Sequence, residues 1–122
     1  MKRLALIAMT AMALSAHAEF VAQDTAPSTS HPVSTVREAK TEFGDDAHIV
    51  LEGYITGTAG TINPEEYFFK DDTDTIKVEI NPDVWRGQKV TPQTKVRIAG
   101  EVDVNRFNNT REIEVRRLDI VN

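Results

Sequence analysis

No cysteine occurs anywhere in the 122 residues. The chain therefore has no disulfide to staple its fold, no thiolate nucleophile and no sulfur ligand for a metal. Histidine is nearly as scarce, at three, and His17 and His31 both lie before residue 32. Every serine lies at or before Ser34. Base-assisted nucleophilic catalysis has almost nothing to work with, so the chain reads as a non-enzyme that needs no cofactor. Aromatics make up only 7 % of residues, and 14 basic side chains face 19 acidic ones. Both shortages argue against nucleic acid, whose capture rests on positive charge and base stacking. Long apolar runs are missing too. Leu4 to Leu14 is the one candidate, and it is shorter than the roughly 20 residues a membrane span requires.

That run has a different reading. Met1-Lys2-Arg3 is a basic start, Leu4–Leu14 an apolar centre, and Ala16-His17-Ala18 a small-x-small cleavage site. Residues 1–18 are expected to be a secretory signal peptide, which places the mature protein in the periplasm. Removing Lys2 and Arg3 leaves 12 basic residues against 19 acidic, a net charge of −7. Residues 19–33 are polar, rich in Ser and Thr and broken by Pro27 and Pro32. They read as a disordered leader. The domain proper is expected over residues 34–122.

Within it, period-2 alternation recurs. Ile49, Leu51, Gly53 and Ile55 share one face of a first strand over Ala47–Thr56, and Tyr67 and Phe69 one face of a second. Ile76, Val78 and Ile80 mark the third. Val96, Ile98, Gly100, Val102 and Val104 mark a long fourth with a glycine at its centre. In the fifth, Ile113 and Val115 are out of phase with Leu118 and Ile120, so a bulge or a departure from the sheet is expected at Arg116-Arg117. Ser34 or Thr35 can cap, with Glu38 four or three residues on, which predicts a short helix over Thr35–Glu42. Asn81-Pro82 caps a helical turn between the third and fourth strands, and Trp85 on that turn is expected to plug the barrel core. Five strands with a helical segment between the third and fourth predict an all-β, five-stranded OB-fold barrel.

The succession GYI, EYFFKD, TIKVEI, DVWRGQKVTP, KVRIAGEVD and EIEVRRLDIV resembles the bacterial OB-fold (BOF) family over nearly all of Val36–Val121. The resemblance implies a small secreted protein linked to stress tolerance, acting as a non-catalytic binding module. Two departures stand out: a long first-to-second strand loop, and Asp74 where a hairpin glycine is usual.

OB-folds bind ligands across the outer face of the second and third strands, between the first-second and fourth-fifth loops. Here that face offers Phe68, Lys70 and Lys77, with Tyr54 beside them, and the loops add Asn63, Arg106 and Phe107. Aromatic and cationic groups together suit stacking on a sugar while holding an anion. Phe68 and Tyr54 equally suit packing beneath a helix or loop. The partner classes left open are a small envelope ligand (a saccharide or peptidoglycan fragment, or a cationic peptide) and an envelope protein docked on an edge strand or acidic patch. Asp71, Asp72 and Asp74 crowd one turn and are a weak candidate for a hard cation. Turns favour Asp for its local hydrogen bonds in any case.

Overall fold

Alternating apolar residues drive five strands to bury one face each, and closing on themselves buries all those faces together. The computed structural model describes residues 32–122. The signal-peptide segment, nearly all of the leader and His31 lie outside the described residues. Strands β1 (His48–Thr58), β2 (Glu66–Lys70), β3 (Thr75–Glu79), β4 (Lys95–Asn105) and β5 (Thr110–Ile120) form a closed barrel in the order β1-β2-β3-β5-β4. All pairings are antiparallel except β3 with β5. Each of the five strands has a partner on both sides, although β3 and β5 pair through only three residues.

The core is aliphatic apart from Phe69. Leu51, Phe69, Val78, Ile98, Val102, Ile113 and Leu118 are all fully buried. Two glycines make the closure possible. A Cβ on Gly53 would fall far inside contact distance of the Lys70 carbonyl oxygen, and one on Gly100 would meet the Glu114 carbonyl oxygen in the same way. The expected bulge in β5 is present. Ala99 pairs with Arg117 and Gly100 with Val115, so Arg116 is the extra residue and the side-chain phase flips there. Leu118 is thereby buried, whereas Ile120 at the strand end is 38 % exposed.

Three details depart from the expectations. β1 runs on to Thr58 because a bulge between Ile55 and Gly57 lets the ladder continue through Gly57–Phe68 and Thr58–Tyr67. Val50, on the outer side of β1, is buried; Ser34 forms a parallel bridge to Leu51 and donates its N–H to the Val50 carbonyl. On the helical turn α2 (Pro82–Trp85) the buried residue is Val84, not Trp85. With Asn81 as N-cap and Arg86 left-handed at the C-cap, this one-turn helix turns Val84 inward. Trp85 is half-buried and packs against the core from its rim, edge-on to Tyr67 at 5.5 Å.

Helix α1 (Val36–Thr41) covers the barrel near β3 and β5, burying Val36 and Ala39 in the core. Its capping box is formed as expected, Thr35 with Glu38. Among the described residues no helix is long and apolar enough to cross a membrane.

Candidate functional site

β3 and β5 pair only through Lys77–Glu112, Val78–Ile113 and Glu79–Glu114. Towards Thr75 and Thr110 the two strands run without pairing, and the seam holds a groove of about 580 Å³. Phe68, Thr75 and Lys77 form one side; Asn108, Arg111 and Glu112 form the other. Phe68 is 40 % exposed here, so the packing alternative for it gives way to an open position. Lys77 lies next to Phe68 across β2–β3 and next to Glu112 across β3–β5. Burial raises the Glu112 carboxyl above its ordinary value, and the negative charges of Glu66, Asp103 and Glu79 add to this while Lys77 opposes it.

Two shallower recesses adjoin the groove. One shares Lys77 with it and is lined by Ile62, Asn63 and Glu66 on the β1–β2 loop side. The other shares Glu112 and is lined by Asp103, Arg106 and Phe107 on the β4–β5 hairpin. Of the residues singled out from sequence, Phe68 and Lys77 thus meet in the groove. Asn63 flanks it on one side, Arg106 and Phe107 on the other. Asn63 is also structural: its amide donates to Glu79 Oε2 at 3.2 Å and its carbonyl oxygen accepts from the Glu65 N–H at 2.9 Å. Tyr54 and Lys70 do not join them. They pair with each other in a neighbouring row of the outer face, between Lys95 and Thr75, and neither lines the groove.

Sequence reasoning missed Lys40, Asn108, Arg111 and Glu112. Lys40 Nζ reaches Asp74 Oδ2 at 3.0 Å and the Thr75 carbonyl at 3.2 Å. Arg111 donates to the carbonyls of Lys40 and Phe43 at the end of α1. Both cations are committed to holding the helix. Lys77 makes no such commitment among the described residues, and it is the cation the groove presents.

The acidic turn spends Asp71 and Asp74 on the protein's own donors. Asp71 Oδ1 accepts from the Thr73 N–H at 2.8 Å, the Thr73 hydroxyl at 2.6 Å and the Asp74 N–H at 3.2 Å. Its Oδ2 accepts from the Val36 N–H at 2.9 Å. Asp74 pairs with Lys40 and accepts from the Thr75 N–H. Asp71, Asp72 and Asp74 therefore do not converge, and among the described residues no group of three or more candidate ligands could hold a metal ion. Partial burial pushes the Asp71 carboxyl up, but the hydrogen bonds from Thr73, Val36 and Asp74 outweigh it and hold it below its ordinary value. The turn is a clasp on the N-terminus of α1, where negative charge is favoured.

A family model described as bacterial OB fold (BOF) protein matches residues 14–120. Protein YgiW of Escherichia coli K12 is 40 % identical over 90 residues, a match spanning 74 % of this chain and 65 % of that protein. The calcium-regulated OB-fold protein CarO of Pseudomonas aeruginosa is 32 % identical over 90 residues, spanning 74 % and 73 %. The solved structure of the Escherichia coli ygiW protein superposes with a TM-score of 0.67 at 37 % identity, covering 75 % of this chain and 92 % of the other.

Proposed function

Since this chain belongs to the bacterial OB-fold family, we propose that it is a non-catalytic binding protein of the bacterial envelope. In this reading residues 1–18 direct export, residues 19–33 form a leader, and residues 34–122 carry the binding activity in the periplasm as part of stress tolerance. The β3–β5 groove takes a saccharide that bears an acidic group, such as a peptidoglycan fragment. The observation that supports this is the meeting of an open aromatic ring, Phe68, with the ammonium of Lys77, which is not tied to the helix, in the groove. An aromatic face favours the apolar face of a sugar ring, Lys77 a carboxylate, and Asn108 and Thr75 supply polar groups for hydroxyls. Lys40 and Arg111 fix the groove's end without competing for the ligand.

The test is titration of the protein with a soluble disaccharide-peptide fragment of peptidoglycan, followed by backbone amide shifts. Saturable shifts at Phe68, Lys77 and Asn108, lost in the Phe68→Ala/Lys77→Ala variant with the fold intact, are the expected result. Binding that the double variant leaves unchanged would overturn the assignment of the groove.

A further inference from the structure

Four glutamates lie directly opposite one another across the outer face of the barrel. Glu66 on β2 pairs with Glu79 on β3, Glu79 with Glu114 on β5, and Glu114 with Glu101 on β4. Like charges in direct cross-strand register destabilise a sheet. The repulsion is relieved unevenly. Arg116, released by the β5 bulge, reaches Glu101 at 3.2 Å and Glu114 at 3.4 Å. Asn63 donates to Glu79. The next row inward along the strands adds Lys77, Glu112 and Asp103. In these two rows six carboxylates thus meet two cations, Lys77 and Arg116, and the relief is concentrated at the Glu101 end. The Glu66–Glu79 end is left negative beside the recess rimmed by Ile62, whose side chain is 94 % exposed. The raised Glu112 carboxyl registers the same accumulation of charge, in part through Glu66 and Glu79.

We propose that this face of β2, β3, β5 and β4 docks an extended cationic polypeptide segment carrying Lys or Arg at every second position. The length and charge of the row fit this partner. Neighbouring strands are about 4.8 Å apart, so four glutamates in a row span about 14 Å. Same-side residues of an extended chain repeat at about 6.8 Å, so cations at i, i+2 and i+4 cover about 14 Å. A row that long cannot converge on one ion, because a calcium centre gathers its oxygens within about 2.6 Å of itself. The intervening side chains of the segment face away from the row, and apolar flanking residues reach Ile62. This surface adjoins the saccharide groove and shares Lys77 and Glu112 with it, while the four glutamates of its main row do not line the groove.

The test uses two acetylated, amidated pentapeptides, Lys-Thr-Lys-Thr-Lys and Lys-Lys-Lys-Thr-Thr, titrated into the protein by calorimetry at several salt concentrations. The alternating peptide is expected to bind more tightly than its rearranged control, with affinity falling as salt rises. Glu66→Gln/Glu79→Gln is expected to weaken it by about tenfold. The same variant keeps or raises Tm, since it relieves like-charge contacts, so a folding defect cannot mimic the loss. Phe68→Ala leaves peptide binding unchanged, which separates this face from the groove. Equal affinity for the two peptides, indifference to the glutamate double variant, no saturable binding, or binding of Ca²⁺ alone at these glutamates would each overturn the proposal.

Discussion

Replacing Asp71 tests how the barrel holds its helix. In Asp71→Ala four hydrogen bonds are lost, and the Val36 N–H is left without a partner next to a fully buried side chain. A stranded buried donor costs about 1–3 kcal/mol, and loss of a negative charge at a helix N-terminus adds about 0.3–1 kcal/mol. Asp71 is only half-buried, so water can replace part of what is lost, and about 2 kcal/mol is the expected total. For a domain of this size that lowers Tm by about 8–16 °C. Asp71→Asn keeps one acceptor oxygen for the turn and loses the charge, so it falls between the two. The pH dependence has a definite sign. A carboxyl held below its ordinary 3.8 contributes stability that is fully present above 3.8 and is lost as pH falls through the lowered value. The gap between wild type and Asp71→Asn therefore closes in acid. Thermal melts across that range, with hydrogen exchange at residues 36–41, measure both effects. A loss below about 0.5 kcal/mol would refute the clasp. So would a Tm that Ca²⁺ raises in wild type and not in the variant.

Two further substitutions probe the frame and its charge. Gly100→Ala is expected to cost about 3 kcal/mol in a denaturant melt, because the new methyl meets the Glu114 carbonyl and the Val115 backbone. Gly44→Ala, with open space around it, serves as the near-neutral control. Glu112→Gln is expected to raise stability at neutral pH. A carboxyl raised above 4.5 by burial and by Glu66 takes up protons more readily in the folded state, so wild-type stability falls as pH climbs from 4.5 through the raised value. A Tm difference between Glu112→Gln and wild type that does not grow over that window would contradict this placement of Glu112.

The elements and their inward faces were legible because they rest on local rules. Alternation at Ile76, Val78 and Ile80, the glycine at 100, the Thr35–Glu38 box and the Asn81-Pro82 cap each act within a few residues. The phase conflict in the fifth strand located the bulge at Arg116 for the same reason. What escaped depends on register between distant strands. Nothing local says that Glu66, Glu79, Glu114 and Glu101 stand in one row, or that Tyr54 and Lys70 fall in a different row from Phe68. Asp71 looked like a cation ligand because its partner, the Val36 N–H, is 35 residues away. Arg111 and Lys40 were passed over because each meets the groove only after α1 docks. Trp85 was assigned to the core because it lies on the turn between the third and fourth strands, whereas the cap geometry at Asn81 and Arg86 decides which side of a one-turn helix points inward.

The shortness of the β3–β5 ladder has a consequence for the entropy of the chain. β4 and β5 are joined by a tight hairpin and share ten register pairs, so their contacts form between near neighbours. The barrel's closing seam has three, between strands whose partners Lys77 and Glu112 lie 35 residues apart. It carries a large loop-closure cost on few backbone bonds, and α1 with its Asp71 and Arg111 ties makes up part of the difference. A molecule bridging Lys77 and Asn108 would bind only the closed ring, and so would act as a removable cross-link where the backbone supplies the fewest of its own.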